Sequence, residues 1–522
     1  MKSMKSVLIV ATVVLVVIGI SLFFNQKKPD KPSAFASRPT RPVVMIVIDS
    51  LMDAPLQEAM KLGRAPALKF LSEKGHYYPR VVSSFPTMSV SIDSTLLTGA
   101  YPNDHKIFGL SYFHKELNRI VNFGTGLGET FRVGLKDVLR DGLQNLNQHF
   151  LGKDVQTIHE ATGQPTASLN AVIYRGKKKH TLQTPWLAVV TGILPRKIET
   201  MGPEFLSFGS LSKIDSGNGH DHVWNRYGIN DTFSRQELVS LIRQNRLPAF
   251  TIAYFPKNDE IIHKKGANVI EGIEKADQEL QQLLHAFSSW EDAANQITWI
   301  VLGDSGQTNL IKEKRQAYID VRKVLDKYAI MPLKQKKPRA KDQIVLCVNE
   351  RMAYIYLVDP QLSMDEVVHK LRQHRLLDVI AWKEKGWIHV ASGQHKGTFR
   401  FRQGGHEQDE YRQSWELEGD LSVLDLNRAD DKKIEYGVYP DVLARLSGVM
   451  ETADRVIVIT CAPGYEMIGE SSPTHKGAAH GSLHYLDSYV PMIVSGTDSK
   501  PEHLRYVDLK QWILELISPR PL

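Results

Sequence analysis

Only two cysteines occur in 522 residues, Cys347 and Cys461, and neither belongs to a C-x-x-C pair. That excludes a disulfide-built scaffold and a thiolate metal centre, and leaves open whether the two pair with each other. Internal repeats and low-complexity tracts are also missing, so solenoid and array architectures drop out. No nucleic-acid-binding motif accompanies the formal net charge of +7, whose basic excess is local, at Lys27-Lys28, Lys177-Lys178-Lys179 and 334–341. These clusters read as solvated surface with some attraction for anionic lipid or substrate, and no nucleic-acid partner is expected. Charge is absent altogether from residues 7–24, an 18-residue stretch preceded by Lys2 and Lys5. As a helix this stretch reaches roughly 27 Å, about one hydrocarbon core. No small-x-small cleavage site follows it and no cysteine stands ready for lipidation, which favours an uncleaved transmembrane anchor over a signal peptide. Positive charge on both flanks gives the positive-inside rule little to orient.

What is present divides the chain into a basic segment at 1–6, the anchor at 7–24, a linker at 25–42 rich in proline, and one large domain at 43–520. The 42% hydrophobic and 24% charged composition is that of a globular protein, with a core affordable at this length. Apolar runs at 43–48, 249–255, 298–302, 455–460 and 490–495 predict strands, and helical patterns lie between them. Alternation of this kind predicts an α/β fold, a mainly parallel central sheet flanked by helices. Val269, Ile273, Ala276, Leu280, Leu283, Leu284 and Phe287 share one helical face, and Leu509, Ile513 and Leu514 mark a closing helix. The stretches at about 110–245 and 330–450 lack this regularity and read as insertions, the first suited to covering a substrate.

Five clusters carry chemistry. Asp49 ends the run Val43-Val44-Met45-Ile46-Val47-Ile48, which places a carboxylate at the carboxyl edge of a buried sheet, where open α/β folds put their sites. Ser89, after Phe85-Pro86-Thr87-Met88, opens a short helix closed by Gly99, so its hydroxyl sits where N–H groups attract phosphate. Asp259 and His263 follow a strand at i, i+4 spacing and offer an oxygen and a nitrogen to one cation. Asp304 ends another apolar strand, between Gly303 and Ser305-Gly306, and these glycines leave room for a ligand. His475, His480 and His484 crowd into ten residues before the strand at 490. The bland reading prevails for His220-Asp221-His222 as a polar loop, for His105, Asp93 and Thr95 as packing partners, and for Glu350-Arg351 as a surface ion pair.

The order of the clusters is more specific than any one of them. Asp49, then Pro86-Thr87-x-Ser89 leading to Thr98-Gly99-x-Tyr101-Pro102 and His105, then Asp259 with His263, then Gly303-Asp304, then His480-Gly481 resembles the alkaline phosphatase superfamily, and within it the type I phosphodiesterase/nucleotide pyrophosphatase family. The resemblance covers about residues 41–135 and 225–500. It implies two divalent ions, zinc being usual, with Asp259, His263 and His480 on one and Asp49, Asp304 and Ser89 on the other. It also implies that Ser89 attacks a phosphate ester and forms a phosphoseryl intermediate. Two departures stand out. Ser305 occupies the place of a family histidine, which leaves the second ion weakly held, replaced by manganese or magnesium, or absent, unless His475 or His484 supplies the nitrogen. Leu110 stands where nucleotide-cleaving members carry a phosphate-binding asparagine. The expected protein is thus a single-pass cell-membrane phosphoesterase of the phosphodiesterase type, its catalytic domain outside the cytoplasm. The alternatives are a degenerate member that binds a phosphorylated lipid or envelope polymer, and a head-group transferase. Sulfatase chemistry is excluded, since Ser89-Val90-Ser91-Ile92-Asp93 lacks the C/S-x-P-x-R signature.

Overall fold

Six consecutive apolar residues with no exposed face demand cover on both sides, and β1 (Val43–Ile48) receives it at the centre of a seven-stranded sheet. The computed structural model describes residues 41–429, 433–450 and 455–518. The basic segment, the anchor at 7–24 and nearly all of the linker lie outside the described residues. Among the described residues no helix is long and apolar enough to cross a membrane.

The other strands of this sheet are β2 (Gly75–Val82), β3 (Thr166–Leu169), β4 (Phe205–Ser207), β5 (Phe250–Phe255), β6 (Thr298–Gly303) and β7 (Tyr489–Ser495). Their order is β2-β7-β6-β1-β5-β3-β4. β1 runs parallel to β5 and β6, and β3 and β4 continue the parallel run. β7 pairs antiparallel with both β6 and β2, so the sheet is mainly parallel, as expected, and made mixed by this one strand. Alternation along β1 divides the core: Val43, Met45 and Val47 face one apolar cluster, while Val44, Ile46 and Ile48 face another.

Four helices matter for the site. α1 (Ser89–Thr98) buries every residue after Ser89 and stops at Gly99, whose φ of 64° lets its N–H cap Thr95. α2 (Lys257–Lys265) follows β5 directly. α3 (Glu271–Leu284) buries Ile273, Ala276, Leu280, Leu283 and Leu284, the face read from the sequence. α4 (Tyr506–Ile517) closes the chain with Leu509 and Ile513 buried.

Two expectations about organisation change. The stretch at 110–245 does not merely decorate the sheet, because it supplies β3 and β4; strands of four and three residues are too short to show a period. The strand at Val456–Cys461 belongs to a second, nine-stranded sheet, where it lies antiparallel between Met352–Leu357 and Leu377–Glu384. Most of that sheet comes from the stretch at 330–450. Cys347 and Cys461 are both buried and free, so they do not pair.

Candidate active site

Register alone brings the first two acids together. Ile48 lies opposite Gly303 of β6 and Phe255 of β5, so Asp49 and Asp304 each leave the sheet one step beyond an aligned pair. Asp304 is fully buried. Its Oδ1 accepts from the Ser50 amide at 2.8 Å and from its neighbour Ser305 at 2.7 Å. Its Oδ2 accepts from the Tyr254 phenol at 3.0 Å. Ser89 and Asp49 both influence the same phenol electrostatically. Tyr254, the penultimate residue of β5, thus lies between the helix that presents Ser89 and the two strand ends that present Asp49 and Asp304. Ser89 is the one residue of α1 that solvent reaches.

This corner is electrostatically unbalanced. Burial, then the charges of Asp304, Asp259 and Asp93, push the Asp49 carboxyl well above its ordinary range. Its Oδ1 is buried without a hydrogen-bond partner. Asp93, on α1, is raised by burial and then by Asp304. Burial and these acids hold the Tyr254 phenol protonated. Uncompensated carboxylates around an unpartnered oxygen fit a cation, and the available donors are all oxygens.

A second cluster lies alongside. Asp259 and His263 face the same way one turn apart on α2, with Nε2 of His263 3.1 Å from Asp259 Oδ1. His480 arrives after the short strand Ala478–Ala479, its Nε2 3.8 Å from the same oxygen. The ligand atoms of Asp259, His263 and His480 all lie within 4.8 Å of one another. Both imidazoles turn Nδ1 to a backbone carbonyl, His263 to Ala478 at 2.9 Å and His480 to Thr87. That fixes the tautomer that points a bare Nε2 inward, the arrangement zinc-binding histidines adopt. Burial alone lowers the His263 pKa, but Asp259 and Glu350 raise it to about 10. Ser50 Oγ and Gln307 Nε2 both donate to Asp259, at 3.0 and 2.6 Å, and Ser50 links the two clusters.

All the residues singled out from the sequence can now be placed. Asp49, Ser89 and Asp304 share one corner; Asp259, His263 and His480 share the other. Ser305 is buried beside them, its Oγ 3.3 Å from Ser50 Oγ. His475 stacks on His263 at 3.9 Å and bonds Glu466 through Nδ1 at 2.7 Å, which places it at the second cluster and not beside Asp304. His484 caps Tyr485–Ser488 and packs edge-on to Tyr439, so it supplies no nitrogen to Asp304 either. The glycines flanking Asp304 serve chain packing: a Cβ at Gly303 would stand 2.2 Å from Leu51 O, and one at Gly306 2.1 Å from Leu486 O. His105 is buried against Thr95, and Asp221 pairs with Lys213. Sequence reasoning missed Tyr254, Ser50, Gln307 and Glu350. Ser50, Tyr254 and Gln307 carried a signal, each lying within five residues of a singled-out acid. Glu350 carried only its place after the strand-like run at 344–348, where it could meet a substrate. Read as a surface pair with Arg351, it is half-buried and faces three histidines, while Arg351 forms a fully buried bridge to Asp487 at 2.5 Å.

A strand edge that gathers acids, imidazoles and one reachable hydroxyl belongs to the metal-dependent phosphoester hydrolases. Residues 43–482 match the model of the type I phosphodiesterase/nucleotide pyrophosphatase family, and the chain belongs to that family, within the alkaline phosphatase superfamily. Its members are metal-dependent, typically with two ions, and the chain is a phosphoric ester hydrolase by class. Among solved structures, an inactive variant of murine ectonucleotide pyrophosphatase/phosphodiesterase 5 with AMP is 14% identical, with a TM-score of 0.54 over 91% of this chain and 95% of that one. The human protein of the same name is 12% identical, with a TM-score of 0.54 over 92% and 96%. Phosphonoacetate hydrolase from Sinorhizobium meliloti with phosphonoformate is 16% identical, with a TM-score of 0.56 over 94% and 100%. At these identities the likeness is one of fold. No curated protein matches the chain in sequence.

Proposed function

We propose that this protein is a membrane-anchored phosphodiesterase with Ser89 as nucleophile and two divalent ions as cofactors. The observation that carries this reading is the convergence at one sheet edge of Asp49 and Asp304 with Tyr254 and Ser89, beside the cluster of Asp259, His263 and His480. Asp259, His263 and His480 would hold one ion, and the nitrogen donors favour zinc. Asp49, Asp304 and Ser89 would hold the other, and with Ser305 replacing a nitrogen ligand the oxygen-only set favours manganese or magnesium. Bound there, such ions neutralise charge on the attacking and leaving oxygens and acidify the serine hydroxyl.

The chain's own groups do the rest. Ser89 stands at the first turn of α1, where unpaired N–H groups and the positive end of the helix dipole draw in a phosphoryl oxygen. The Oγ–P bond forms as the bond from phosphorus to the leaving oxygen breaks, the serine proton passing to that oxygen so that it departs as an alcohol. Water then displaces Ser89 in line, and one of its protons returns to Oγ. Phosphate diesters are the substrate class, and Leu110 argues for organic groups other than nucleotides. Residues 7–24 would anchor the domain on the outer side of the cell membrane.

One experiment covers these points. The full chain is expressed, fractionated, stripped with a chelator and reconstituted with zinc, manganese or both, then assayed on artificial mono- and diesters. We expect diesterase activity in the membrane fraction, lost on chelation and restored best by zinc plus manganese. Activity unaffected by chelation, or a monoester preference under every ion, would refute the reading; activity free of the membrane would refute the anchor.

A further inference from the structure

The second sheet does more than pack against the first. Its strands Ile344–Asn349 and Met352–Leu357 form a hairpin whose two-residue turn, Glu350-Arg351, is driven into the site. Arg351 is the wedge: fully buried, it pairs with Asp487 and donates to Thr308 and to the carbonyls of Tyr465 and Cys461. Backbone bonds hold the turn on three sides, from Met467 to Glu350 O, from Arg351 to His480 O, and from Cys461 to Arg351 O. Gly481 makes room for it, since a Cβ there would stand 2.6 Å from Asn349 O. Glu350 itself takes a φ of 55°, a left-handed conformation disfavoured for a residue with a Cβ. Strain of this kind is held in place only where the surroundings enforce it, most often at a functional site.

Its carboxylate lands between the two imidazoles. Oε1 lies 3.9 Å from His263 Nε2, and Oε2 lies 3.8 Å from His480 Nε2. With the 3.1 and 3.8 Å separations from Asp259 to the same nitrogens, Glu350 sets one oxygen beside each imidazole and Asp259 a third oxygen beside both. A tetrahedral zinc with bonds of 2.0–2.1 Å has ligand–ligand edges of about 3.3–3.4 Å, so three of these acid–imidazole separations need to shorten by about half an ångström when an ion binds. His475 also approaches Glu350 and His263. Its ring lies nearly parallel to that of His263, at 24°, and its Nδ1 is committed to Glu466, so the two lone pairs do not converge on one ion.

We infer that Glu350 is a fourth protein ligand to the ion held by Asp259, His263 and His480. This rests on the two-ion reading above and deepens it: a fourth protein donor makes the site more retentive, while expansion to five-coordination still admits a substrate oxygen. The first ion is then a resident, and the more readily exchanged ion is the one beside Ser89.

The test counts metal and reads its geometry. The full-length protein is dialysed against metal-free buffer, its zinc is measured, and its cobalt-substituted form is examined by visible absorption, beside Glu350→Gln, Glu350→His and Asp259→Ala. Wild type is expected to keep one zinc per chain and to show the intense bands of four-coordinate cobalt. Glu350→Gln should bind zinc at least about tenfold more weakly with weaker cobalt bands, and Glu350→His, which restores a donor, should recover both. If Glu350→Gln retains zinc and spectrum while Asp259→Ala loses them, Glu350 is no ligand and the three-ligand site stands. If wild type binds no zinc at all, the underlying two-ion reading falls with it.

Discussion

Ser89→Ala is expected to lower kcat/KM for a phosphodiester by roughly 10³-fold or more, about 4 kcal/mol of transition-state stabilisation, with little loss of stability. The reasoning is local. Ser89 is the solvent-reached first residue of α1, and its removal leaves the Tyr254 bond to Asp304 in place. The fold therefore loses one partly exposed hydroxyl, a change within about 0.5 kcal/mol, while the reaction loses its nucleophile. Ser89→Thr preserves the oxygen and is expected to stay within about tenfold of wild type. Steady-state kinetics beside thermal melts decide the matter. An alanine variant as active as wild type would falsify the nucleophile assignment, and a large drop in melting temperature would reassign the residue to structure.

The second large effect is that of Asp259→Ala. The aspartate is the centre on which His263, His480, Ser50 and Gln307 converge. Its loss removes the carboxylate nearest to His263 Nε2, which also faces His480, and zinc affinity is expected to fall by more than about 100-fold, beyond the effect of an outer-shell change. Diesterase activity should fall at least as far. A second readout is independent of turnover. In the ion-free protein, Asp259 is the largest influence raising the His263 pKa against burial, so its removal should bring that pKa down from about 10. Titration of the His263 ring by NMR checks the direction; an unmoved His263 would mean that the pair seen here does not govern the site.

The parts of the site legible in the sequence are those created by local pattern. Asp49 and Asp304 end strands whose continuous apolar runs announce central positions, and parallel register then sets them side by side. Asp259 and His263 depend only on the repeat of a helix. Legibility ends where tertiary contact takes over. Glu350 reaches the imidazoles through a hairpin of the second sheet, and nothing in Asn349-Glu350-Arg351 distinguishes that turn from a solvated one. Val456–Cys461 misled for a related reason. Its alternate residues are covered on both faces, Val456 and Val458 by one core and Ile457 and Ile459 by another, so an antiparallel strand inside the second sheet has the same apolar signature as a strand at the centre of the first. His475 and His484 were visible as histidines, but which acid each would meet depends on how the loop from Pro473 onward folds back across Glu466 and Tyr439.

The central claim is that groups from β1, α1, α2, β6 and the loop carrying His480 assemble around Ser89 to hold two cations. Anomalous diffraction from crystals grown with zinc and manganese tests it most directly. The account predicts one zinc peak within about 2.0–2.2 Å of Asp259, His263 and His480, and a second, harder ion roughly 3.5–4 Å away, in contact with Asp49, Asp304 and Ser89. Peaks confined to surface histidines such as His220 or His222, with both inner clusters bare, would contradict it.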